Sequence, residues 1–389
     1  MKGYATLKEL GAIITGNTPK TSETENYDSN DIPFVKPSDL HESDIWELTS
    51  AENHISEKAR GKARIAPSGT VLCTCIGIIG KIGIVSNECA FNQQINAIIP
   101  DTKKVIPHYL AYAISSKKNY MQEKANAAVV PIINKTQFGA LSIQTPSLDK
   151  QRNIVNVLFS LEALISNRQQ ALSLLNTLVK SRFIEMFGDP VTNPMGWEVK
   201  KLSDICVVGS SKRVYQSEQT SMGVPFLRIS DLVSRITTQK ESCDLHIPEE
   251  LFNKFEQQGL VPKAGDILVT ARGTLGLCYI IKPDDRFYFQ DGMISWVHTS
   301  EAEVNPVYIS YLFDSQGIRR QIDSVIAGST VAYLSIAQLG KFDILMPPID
   351  LQNQFADFVA LTDKSKFAVQ RSIDTLQTLK AKLMQEYFG

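Results

Sequence analysis

The sequence IPFVKPSDL at residues 32–40 returns as VPFLRISDL at residues 224–232, and this recurrence governs the interpretation of the whole chain. Further matches keep the same order in both halves. They pair Lys8, Leu10 and Ile13 with Lys200, Leu202 and Ile205, residues 67–72 with 263–268, 77–80 with 273–276, 107–112 with 306–311, 145–151 with 346–352, and 185–188 with 386–389. The repeat is far longer than the roughly 20–50 residues of solenoid and propeller repeats. We therefore interpret the chain as a domain duplication.

Each copy begins with short apolar segments separated by Gly, Pro, Asn and Asp. Short stretches rich in Ile and Val between turn residues are typical of β-strands. The segments interpreted as strands include residues 70–76, 94–99, 266–270 and 278–281, and helices are expected around residues 108–121 and 306–322. The sequence thus predicts a mixed α/β globular domain in each copy and an α+β chain overall. It does not predict the order of the strands.

Each copy ends in a long segment with a heptad pattern. In the first copy the pattern comprises Ile154, Leu158, Leu161, Ile165, Arg168, Leu172, Leu175, Val179, Arg182 and Met186, and no Gly or Pro interrupts residues 151–187. The second copy keeps it at Phe355, Val359, Val369, Ile373, Leu376, Leu383 and Tyr387, and loses it at Thr362, Lys366 and Lys380. The spacing predicts two long coiled-coil helices. The first should end at Gly188–Pro190, since a glycine followed by a proline is a common helix stop.

Chain connectivity predicts how these helices pair. A helix with such an apolar stripe must bury it, and the duplicate helix offers a matching stripe. The first helix leads into the second globular domain, and the second helix leaves that domain. Pairing along their length therefore requires antiparallel helices with a globular domain at each end, related by pseudo-two-fold symmetry. The residues expected to pair the helices are Leu158, Leu161, Ile165, Leu172, Leu175, Val359, Val369, Ile373 and Leu376.

The composition limits the classes of protein to which the chain can belong. The formal net charge of the 389 residues is −1, so any contact with nucleic acid must depend on local basic clusters or on basic partners. The six cysteines form no CxxC pair and favour reduced thiols in a cytosolic protein. The first residues contain no apolar signal segment, and no apolar stretch approaches the roughly 20 residues of a membrane helix. We expect a soluble, cytoplasmic protein.

Several short motifs, taken in order and in duplicate, resemble the specificity subunits of type I restriction-modification systems, the HsdS family. The first copy contains GNTPK at residues 16–20 followed by DIPFV at residues 31–35. The second contains GDILV at 265–269 leading to RGTLG at 272–276, and FGDP at 187–190 with NP at 193–194 and GW at 196–197 bridges the copies. The resemblance covers essentially the whole chain. Two departures are GSSK at residues 209–212 in place of the Thr-Pro motif, and IGI at residues 76–78 in place of Arg-Gly-Thr.

The resemblance implies a DNA-recognition protein without catalytic activity of its own. Its target-recognition domains would span residues 1–147 and 189–347, each reading one half of a bipartite site. The spacer helices at 148–188 and 348–389 would set the gap between the halves and dock two methyltransferase (modification) subunits. Restriction motor-nuclease subunits would join this assembly. The resemblance places S-adenosylmethionine, ATP and Mg²⁺ in those partners and no cofactor in this chain.

Candidate DNA contacts come from basic and hydroxyl side chains near the repeated motifs. They are Thr18, Lys20, Lys36, Ser38, Arg60, Lys62, Lys81, Lys212, Arg213, Arg228, Ser230, Arg272 and Thr274. Three interpretations stay open. The alternating cations Lys58 to Arg64 form a basic stripe if they lie on a strand, or a solvated loop otherwise. Lys36 and Arg228, at matching positions, contact phosphate or form structural ion pairs. The two Gly-x-x-Gly segments approach DNA or form tight turns.

A search for catalytic motifs favours a non-catalytic role. There is no Walker A loop, GxGxxG or HExxH pattern. Asp101 and Lys103 resemble a nuclease Asp-x-Lys, although a turn at the end of a strand explains them better. Cys73 and Cys75 should lie on one face of a strand, where buried small apolar residues are favoured over a metal site. The alternatives are a coiled-coil adaptor that does not bind DNA and, with less support, a stand-alone nuclease.

Overall fold

The computed structural model divides the chain into two units, which are described separately. Unit 1 comprises residues 1–170 and 370–389, and unit 2 comprises residues 171–369. The structure describes residues 3–41, 45–125, 130–241, 243–300, 302–327 and 332–389. Each long C-terminal helix contributes to both units. The part of unit 1 before the first long helix is called head 1. The part of unit 2 between the two long helices is called head 2. The exact boundaries predicted between heads and spacer helices stay a prediction.

Head 1 is built from short strands and short helices. Its strands are β1 (Tyr4–Thr6), β2 (Gly11–Thr15), β3 (Ile32–Val35), β4 (Trp46–Leu48), β5 (Asn53–Ile55), β6 (Ile65–Ala66), β7 (Val71–Thr74), β8 (Ile82–Val85), β9 (Cys89–Phe91), β10 (Ile95–Pro100) and β11 (Ser142–Gln144). Its helices are α1 (Leu7–Leu10), α2 (Pro107–Ser115), α3 (Lys118–Lys124) and α4 (Lys135–Gly139), and the long helix α5 (Leu148–Phe187) follows. Short 3₁₀ turns occur at Thr24–Tyr27, Pro37–Asp39 and Glu57–Lys62.

The strands of head 1 form three sheets. The largest has the order β2-β10-β7-β8-β4, the second has the order β5-β3-β9-β6, and β1 pairs with β11. In the second sheet β3 and β9 are parallel, with Phe34 opposite Ala90 and Val35 opposite Phe91. Parallel pairing requires a long crossover, which explains why strands so distant in sequence are neighbours. The mixed α/β prediction is confirmed.

Head 2 repeats this arrangement. Its strands are β12 (Glu198–Lys201), β13 (Val207–Gly209), β14 (Val224–Leu227), β15 (His246–Ile247), β16 (Ile267–Thr270), β17 (Cys278–Ile280), β18 (Tyr288–Phe289), β19 (Ile294–His298) and β20 (Asp343–Met346). Its helices are α6 (Leu202–Ile205), α7 (Ile229–Thr238), α8 (Glu249–Gln257), α9 (Pro306–Phe313), α10 (Gln316–Ile326) and α11 (Ile336–Gly340), followed by the long helix α12 (Ile349–Phe388). A 3₁₀ turn covers Gln216–Glu218.

The duplication extends to the sheet topology. The order β13-β19-β16-β17 repeats β2-β10-β7-β8, the order β15-β14-β18 repeats β5-β3-β9, and β12 with β20 repeats β1 with β11. The β14–β18 pair is parallel, like β3–β9. Among the described residues β4 and β6 have no counterpart in head 2, whereas α7 and α8 stand where head 1 has the short 3₁₀ turns Pro37–Asp39 and Glu57–Lys62. The two heads therefore share a central framework and differ in the segments added to it.

In unit 1 the beginning of α5 packs beside the end of α12. Ile154 and Leu158 share a hydrophobic cluster with Phe388, whose ring lies 5.2 Å from that of Tyr109 in α2. Farther along, the ammonium of Lys380 lies 2.8 Å from the carboxylate of Glu162. Early residues of α5 thus meet late residues of α12, and the two segments run antiparallel.

In unit 2 the end of α5 packs beside the beginning of α12. The rings of Phe183 and Phe187 lie 5.4 and 5.5 Å from that of Phe355. Tyr308 from α9 stacks on Phe183 at 5.8 Å and links this pair to head 2. The segments are again antiparallel, so the predicted antiparallel pairing is confirmed within each unit.

The heptad stripe continues through the polar positions of the second copy. In the long helices all predicted pairing residues are buried or partly buried, and so are Thr362, Lys366 and Lys380. The hydroxyl of Thr362 donates to the Phe358 carbonyl of its own helix at 2.9 Å, and Lys380 pairs with Glu162. These three residues therefore place polar side chains within the stripe of α12, and the stripe continues on both sides of them.

Both ends of α5 are fixed by motifs found in the sequence. Gly188 adopts a φ of 78°, and its amide donates to Ile184 O, which ends the helix as predicted. The indole N–H of Trp197 donates to the carbonyl of Phe187 at 2.8 Å. At the start, the buried Gln151 accepts a hydrogen bond from the amide of Ile106 and donates to Lys104 O and Pro146 O. These motif residues thus secure the junction between the long helix and its neighbours.

Candidate nucleic-acid interface

The parallel strand pair of each head ends at an edge where polar residues collect. In head 1 the chain leaves β3 at Lys36 and β9 at Asn92, and the Asn92 amide donates to Val35 O at 3.1 Å. In head 2 the Gln290 amide donates to Leu227 O at 2.9 Å in the same way. We call this edge the strand-end surface and define it by Thr18, Lys36, Ser38, Lys81 and Gln93 in head 1 and by Lys212, Arg213, Arg228, Ser230 and Asp291 in head 2.

In head 1 three segments converge on the strand-end surface. The hydroxyl of Thr18 donates to Gln93 Oε1 at 2.7 Å, which holds the loop after β2 against the loop after β9. The ammonium of Lys81 donates to Pro37 O at 3.2 Å and brings the β7–β8 turn to the segment after β3. Thr18, Gln93 and Ser38 are exposed. The structure therefore brings together candidates that lie far apart in the sequence.

Lys36 and Arg228 share a backbone role. The Lys36 amide donates to Asp39 Oδ2 at 2.7 Å, and the Arg228 amide donates to Asp231 Oδ2 at 2.9 Å. The repeated Ser-Asp-Leu motif thus includes an aspartate that caps the turn following the strand. This backbone role explains why the motif recurs in both heads, and it does not depend on DNA contacts of the adjacent residues.

The side chains of Lys36 and Arg228 have different partners. The Lys36 ammonium donates to the neutral Asn53 Oδ1 at 2.8 Å. The Arg228 guanidinium lies 3.2 Å from Asp231 and 3.6 Å from Asp244, and the hydrogen bond to Asp231 raises the pKa of Arg228. Of the two interpretations, the structural ion pair therefore describes Arg228, while the partner of the Lys36 ammonium is a neutral amide.

In head 2 the loop after β13 carries two exposed cations, Lys212 and Arg213. The Lys212 amide donates to the hydroxyl of Tyr288 at 2.8 Å, and its ammonium lies 5.6 Å from the centre of the Phe255 ring. The Nε of Arg213 donates to Asp291 Oδ2 at 2.9 Å. These contacts hold both residues beside the end of β18.

The Gly-x-x-Gly segments are tight turns in both heads. They connect β7 to β8 and β16 to β17, and their outer glycines have φ between 68° and 90°. A Cβ on Gly80 would lie 2.7 Å from Lys118 Cγ, and one on Gly276 would lie 2.5 Å from Ile322 Cδ1. Glycine is therefore required by close packing as well as by backbone conformation.

The turns begin next to the strand-end surface. The amides of Cys75 and Ala271 donate to Gln94 O and Met293 O at 2.8 and 2.9 Å. Arg272 and Thr274 are exposed on the second turn, and the guanidinium of Arg272 lies 5.4 Å from the centre of the Tyr333 ring. Arg272 thus directly follows the residue that is bonded to the loop after β18.

The alternating cations Lys58 to Arg64 do not lie on a strand, so the basic-stripe interpretation is wrong. Residues 57–62 form a 3₁₀ turn in which Ala59 is buried. Lys58 lies 2.7 Å from Asp28, Arg60 lies 2.6 Å from Glu88, and the Lys62 ammonium lies 2.9 and 3.0 Å from Glu23 and Glu25. The hydrogen bond from Lys62 lowers the pKa of Glu23.

Arg60 and Lys62 therefore lie in acidic surroundings. Glu88, the partner of Arg60, immediately precedes β9, at the end of the strand opposite to Gln93. Lys20 is exposed, and its carbonyl accepts hydrogen bonds from Asn26 and from the amide of Glu23. Arg60 and Lys62 would have to release carboxylates before binding phosphate.

Gln93 and Asp291 were missed in the sequence. They occupy equivalent positions, the second residue after β9 and after β18, and each is bonded to a candidate residue from the loop after the first strand of its large sheet. The signal was the repeated Phe followed by polar residues, FNQQ at 91–94 and FQDG at 289–292. It was too short to be separated from chance without the parallel pairing.

The residues considered for other chemistry have structural positions. Asp101 accepts a hydrogen bond from the amide of Lys103 at 3.1 Å directly after β10, which confirms a turn at the end of a strand. Cys73 and Cys75 are buried in one hydrophobic cluster, which confirms that they share a face. In the part of the chain that the structure describes, no three His, Cys, Asp or Glu residues are grouped to hold a metal ion. No described helix combines the length and apolarity needed to cross a bilayer.

Comparison with known proteins gives one family. The family model "Type I restriction modification DNA specificity domain" matches twice, at residues 2–176 and 194–377. A curated relative, the type I restriction enzyme MjaIX specificity subunit of Methanocaldococcus jannaschii, is 25% identical over 97% of this chain and 90% of its own length. The MjaVIII specificity subunit of the same organism is 23% identical over 79% of this chain and 73% of its own length.

Two solved structures share the fold. The S subunit of a type I restriction-modification system from M. genitalium aligns over 100% of this chain and 96% of its own, with a TM-score of 0.58 and 12% identity. A chain from a structure described as showing complex assembly and conformational transition of the type I R-M system covers 99% of this chain and 97% of its own. Its TM-score is 0.64 at 16% identity.

Proposed function

The chain belongs to the type I restriction modification DNA specificity family, and we propose that it is the subunit that selects the DNA sequence for a type I restriction-modification complex. In this proposal each head reads one half of a bipartite site. The observation that carries it is the strand-end surface, which is built on the same parallel strand pair in both heads but displays different side chains. A duplicated framework with divergent surfaces suits two unrelated half-sites.

The charges on these surfaces favour recognition together with partner subunits. The chain has a formal net charge of −1, and Arg213 and Arg228 each pair with a carboxylate. Lys36 and Lys81 contact neutral groups and can contribute phosphate binding. We therefore expect weak DNA binding by the isolated chain and tight binding in the complex.

The paired helices are proposed to set the gap between the half-sites and to dock two methyltransferase subunits. The residues predicted to pair the helices are buried or partly buried, so in this proposal partners use the outer faces. In unit 1 Leu164 is 46% exposed, and in unit 2 Leu174 and Leu178 are 61% and 49% exposed. Exposed leucines on helices are typical of surfaces that bind other helices.

Catalysis is assigned to the partners. In this proposal the chain performs neither methylation nor cleavage, and it works in the cytoplasm. The methyltransferase subunits bind S-adenosylmethionine, and restriction motor-nuclease subunits use ATP and Mg²⁺. The bonded positions of Asp101 and of Cys73 leave the nuclease and metal-site alternatives without support from geometry.

Mapping of methylated sites tests the proposal. The chain is expressed with its neighbouring methyltransferase in cells that lack other adenine and cytosine methylation, and modified positions are sequenced. We expect one bipartite motif with a fixed gap. Methylation without any motif, or enrichment of no sequence from a random DNA pool by the assembled complex, would contradict the proposal and favour a protein adaptor. Cleavage by the purified chain with Mg²⁺ alone would favour a nuclease.

A further inference from the structure

The Arg213–Asp291 pair differs from ordinary surface ion pairs because it orients an exposed guanidinium and leaves its terminal edge open. The Nε of Arg213 donates to Asp291 Oδ2 at 2.9 Å. The side chain of Arg213 is 67% exposed, whereas that of Asp291 is 21% exposed. A single contact through Nε leaves the edge formed by the two terminal nitrogens directed away from the carboxylate.

Both backbone segments that carry the pair are fixed. The hydroxyl of the buried Ser211 donates to Phe289 O at 2.7 Å, and the Lys212 amide donates to the Tyr288 hydroxyl at 2.8 Å. On the other side, the Gly292 amide donates to Ser210 Oγ at 3.3 Å. These bonds tie the loop after β13 to the loop after β18, so the direction of Arg213 is established before any ligand binds. Such preorganisation reduces the entropy lost on binding.

Three other arginines of head 2 pair their guanidinium groups with carboxylates of the fold. Arg286 donates through both terminal nitrogens to the two carboxylate oxygens of Glu249. Arg235 is 9% exposed and pairs with Asp285, and Arg228 contacts two carboxylates. Arg213 is therefore the side chain of this strand-end surface best prepared for a planar partner with two acceptors.

We propose that Arg213 reads a guanine in the half-site bound by head 2, and that Asp291 is its positioning residue. An arginine donates two hydrogen bonds to O6 and N7 at the major-groove edge of guanine, and no other base pair presents these two acceptors together. The ion pair neutralises Asp291, which would otherwise repel the DNA backbone. This inference rests on the proposed function, since it identifies a side chain that reads sequence within it.

The inference predicts which substitutions change the recognised sequence. Arg213→Lys keeps the charge and loses the planar fork, so the complex should still bind at low salt and accept other bases at one position. Arg213→Ala should do the same with weaker binding. Asp291→Asn should relax the same position partially, because the guanidinium is retained but less well directed. Discrimination at that position should fall by about tenfold or more.

The test uses the full chain in its complex, with methylation motifs and DNA affinity measured for each variant over a range of salt concentrations. Arg286→Ala is the matched control, since Arg286 belongs to the same head, is about half exposed and already uses both terminal nitrogens. It should leave the motif unchanged. Thermal unfolding of each variant shows whether the fold is retained.

Each result decides the inference. Degeneracy at one G·C position of one half-site, with the other half unchanged, supports it. Uniformly weaker binding with a smaller salt dependence and an unchanged motif overturns it, because that is the signature of a phosphate contact. An unchanged motif and affinity also overturn it. If the wild-type complex itself yields no bipartite motif, the proposed function fails, and that result is distinct from any result with the variants.

Discussion

Single residues repeated in both halves of the chain secure the backbone more often than they mark binding chemistry. Asp39 and Asp231 cap the turn after the central strand, and Gln151 and Gln352 tie each long helix to its head. Repetition alone could not separate these roles from DNA contact, since both require polar side chains at fixed positions. Arg213, the side chain proposed to read sequence, is instead exposed.

Replacement of Gln352 by alanine should destabilise unit 2. The side chain is 1% exposed, accepts a hydrogen bond from the Asn305 amide at 2.9 Å and donates one to Pro347 O at 2.9 Å. Removal leaves a buried donor and a buried acceptor unpaired, at a cost of about 2–4 kcal/mol. The free energy of unfolding, measured in denaturant, should fall by this amount. Gln354→Ala, at an exposed position of the same helix, is the control, and equal stabilities for the two variants would contradict the assignment.

At the scale of secondary-structure elements, the long helices, the strands at 71–74, 95–100 and 267–270, and the presence of helix around 108–121 and 306–322 were predicted from the sequence, although not the division of each helical region into two helices. Their signal is local periodicity. The strand order was not predicted, because the alternation within β3 contains no information that β9 is its parallel neighbour. For a similar reason the sequence did not decide whether the segment Lys58–Arg64 is a basic stripe on a strand or a solvated loop. Its cations are held by carboxylates as far away as Glu23 and Glu88, which no local pattern identifies.

Reversal of the charge of Lys380, which pairs α12 with Glu162 of α5, should lower the stability of unit 1. Lys380 and Glu162 are 21% and 23% exposed, and the second carboxylate oxygen of Glu162 accepts a hydrogen bond from the Tyr112 hydroxyl at 2.8 Å. Lys380→Glu places two carboxylates together in a partly buried site, and we expect a loss of about 1–3 kcal/mol.

Thermal unfolding measures this effect, with Lys382→Glu at an exposed position two residues away as the control. Lys380→Glu combined with Glu162→Lys should restore part of the stability, because the opposite charges are again paired. Equal effects of Lys380→Glu and Lys382→Glu would show that the Lys380–Glu162 pair contributes nothing to the stability of the helix pair. A double variant less stable than Lys380→Glu would show that other groups around Glu162 determine its preferred charge.

At the scale of the whole molecule, the junctions between heads and long helices determine whether a head can be exchanged. In the described part of the chain the side chain of Gln151 bonds to backbone groups of head 1, namely the Ile106 amide and the carbonyls of Lys104 and Pro146. Backbone groups are present whatever the side chains of the head, so a head from a relative can make the same bonds if its framework is shared. The family match at both halves of the chain supports such a shared framework.

Exchange of residues 1–147 for the equivalent segment of a relative with a different target should therefore change one half of the recognised motif and leave the other half unaltered. Exchange of residues 189–347 should change the complementary half. If the helices are the spacer, as proposed, the gap between the half-sites should stay constant in both hybrids, because residues 148–188 and 348–389 are unchanged. Methylation mapping of the two hybrids measures all three quantities at once. A hybrid in which both half-sites change would mean that the heads do not read independently, and one in which neither changes would place sequence recognition outside the heads.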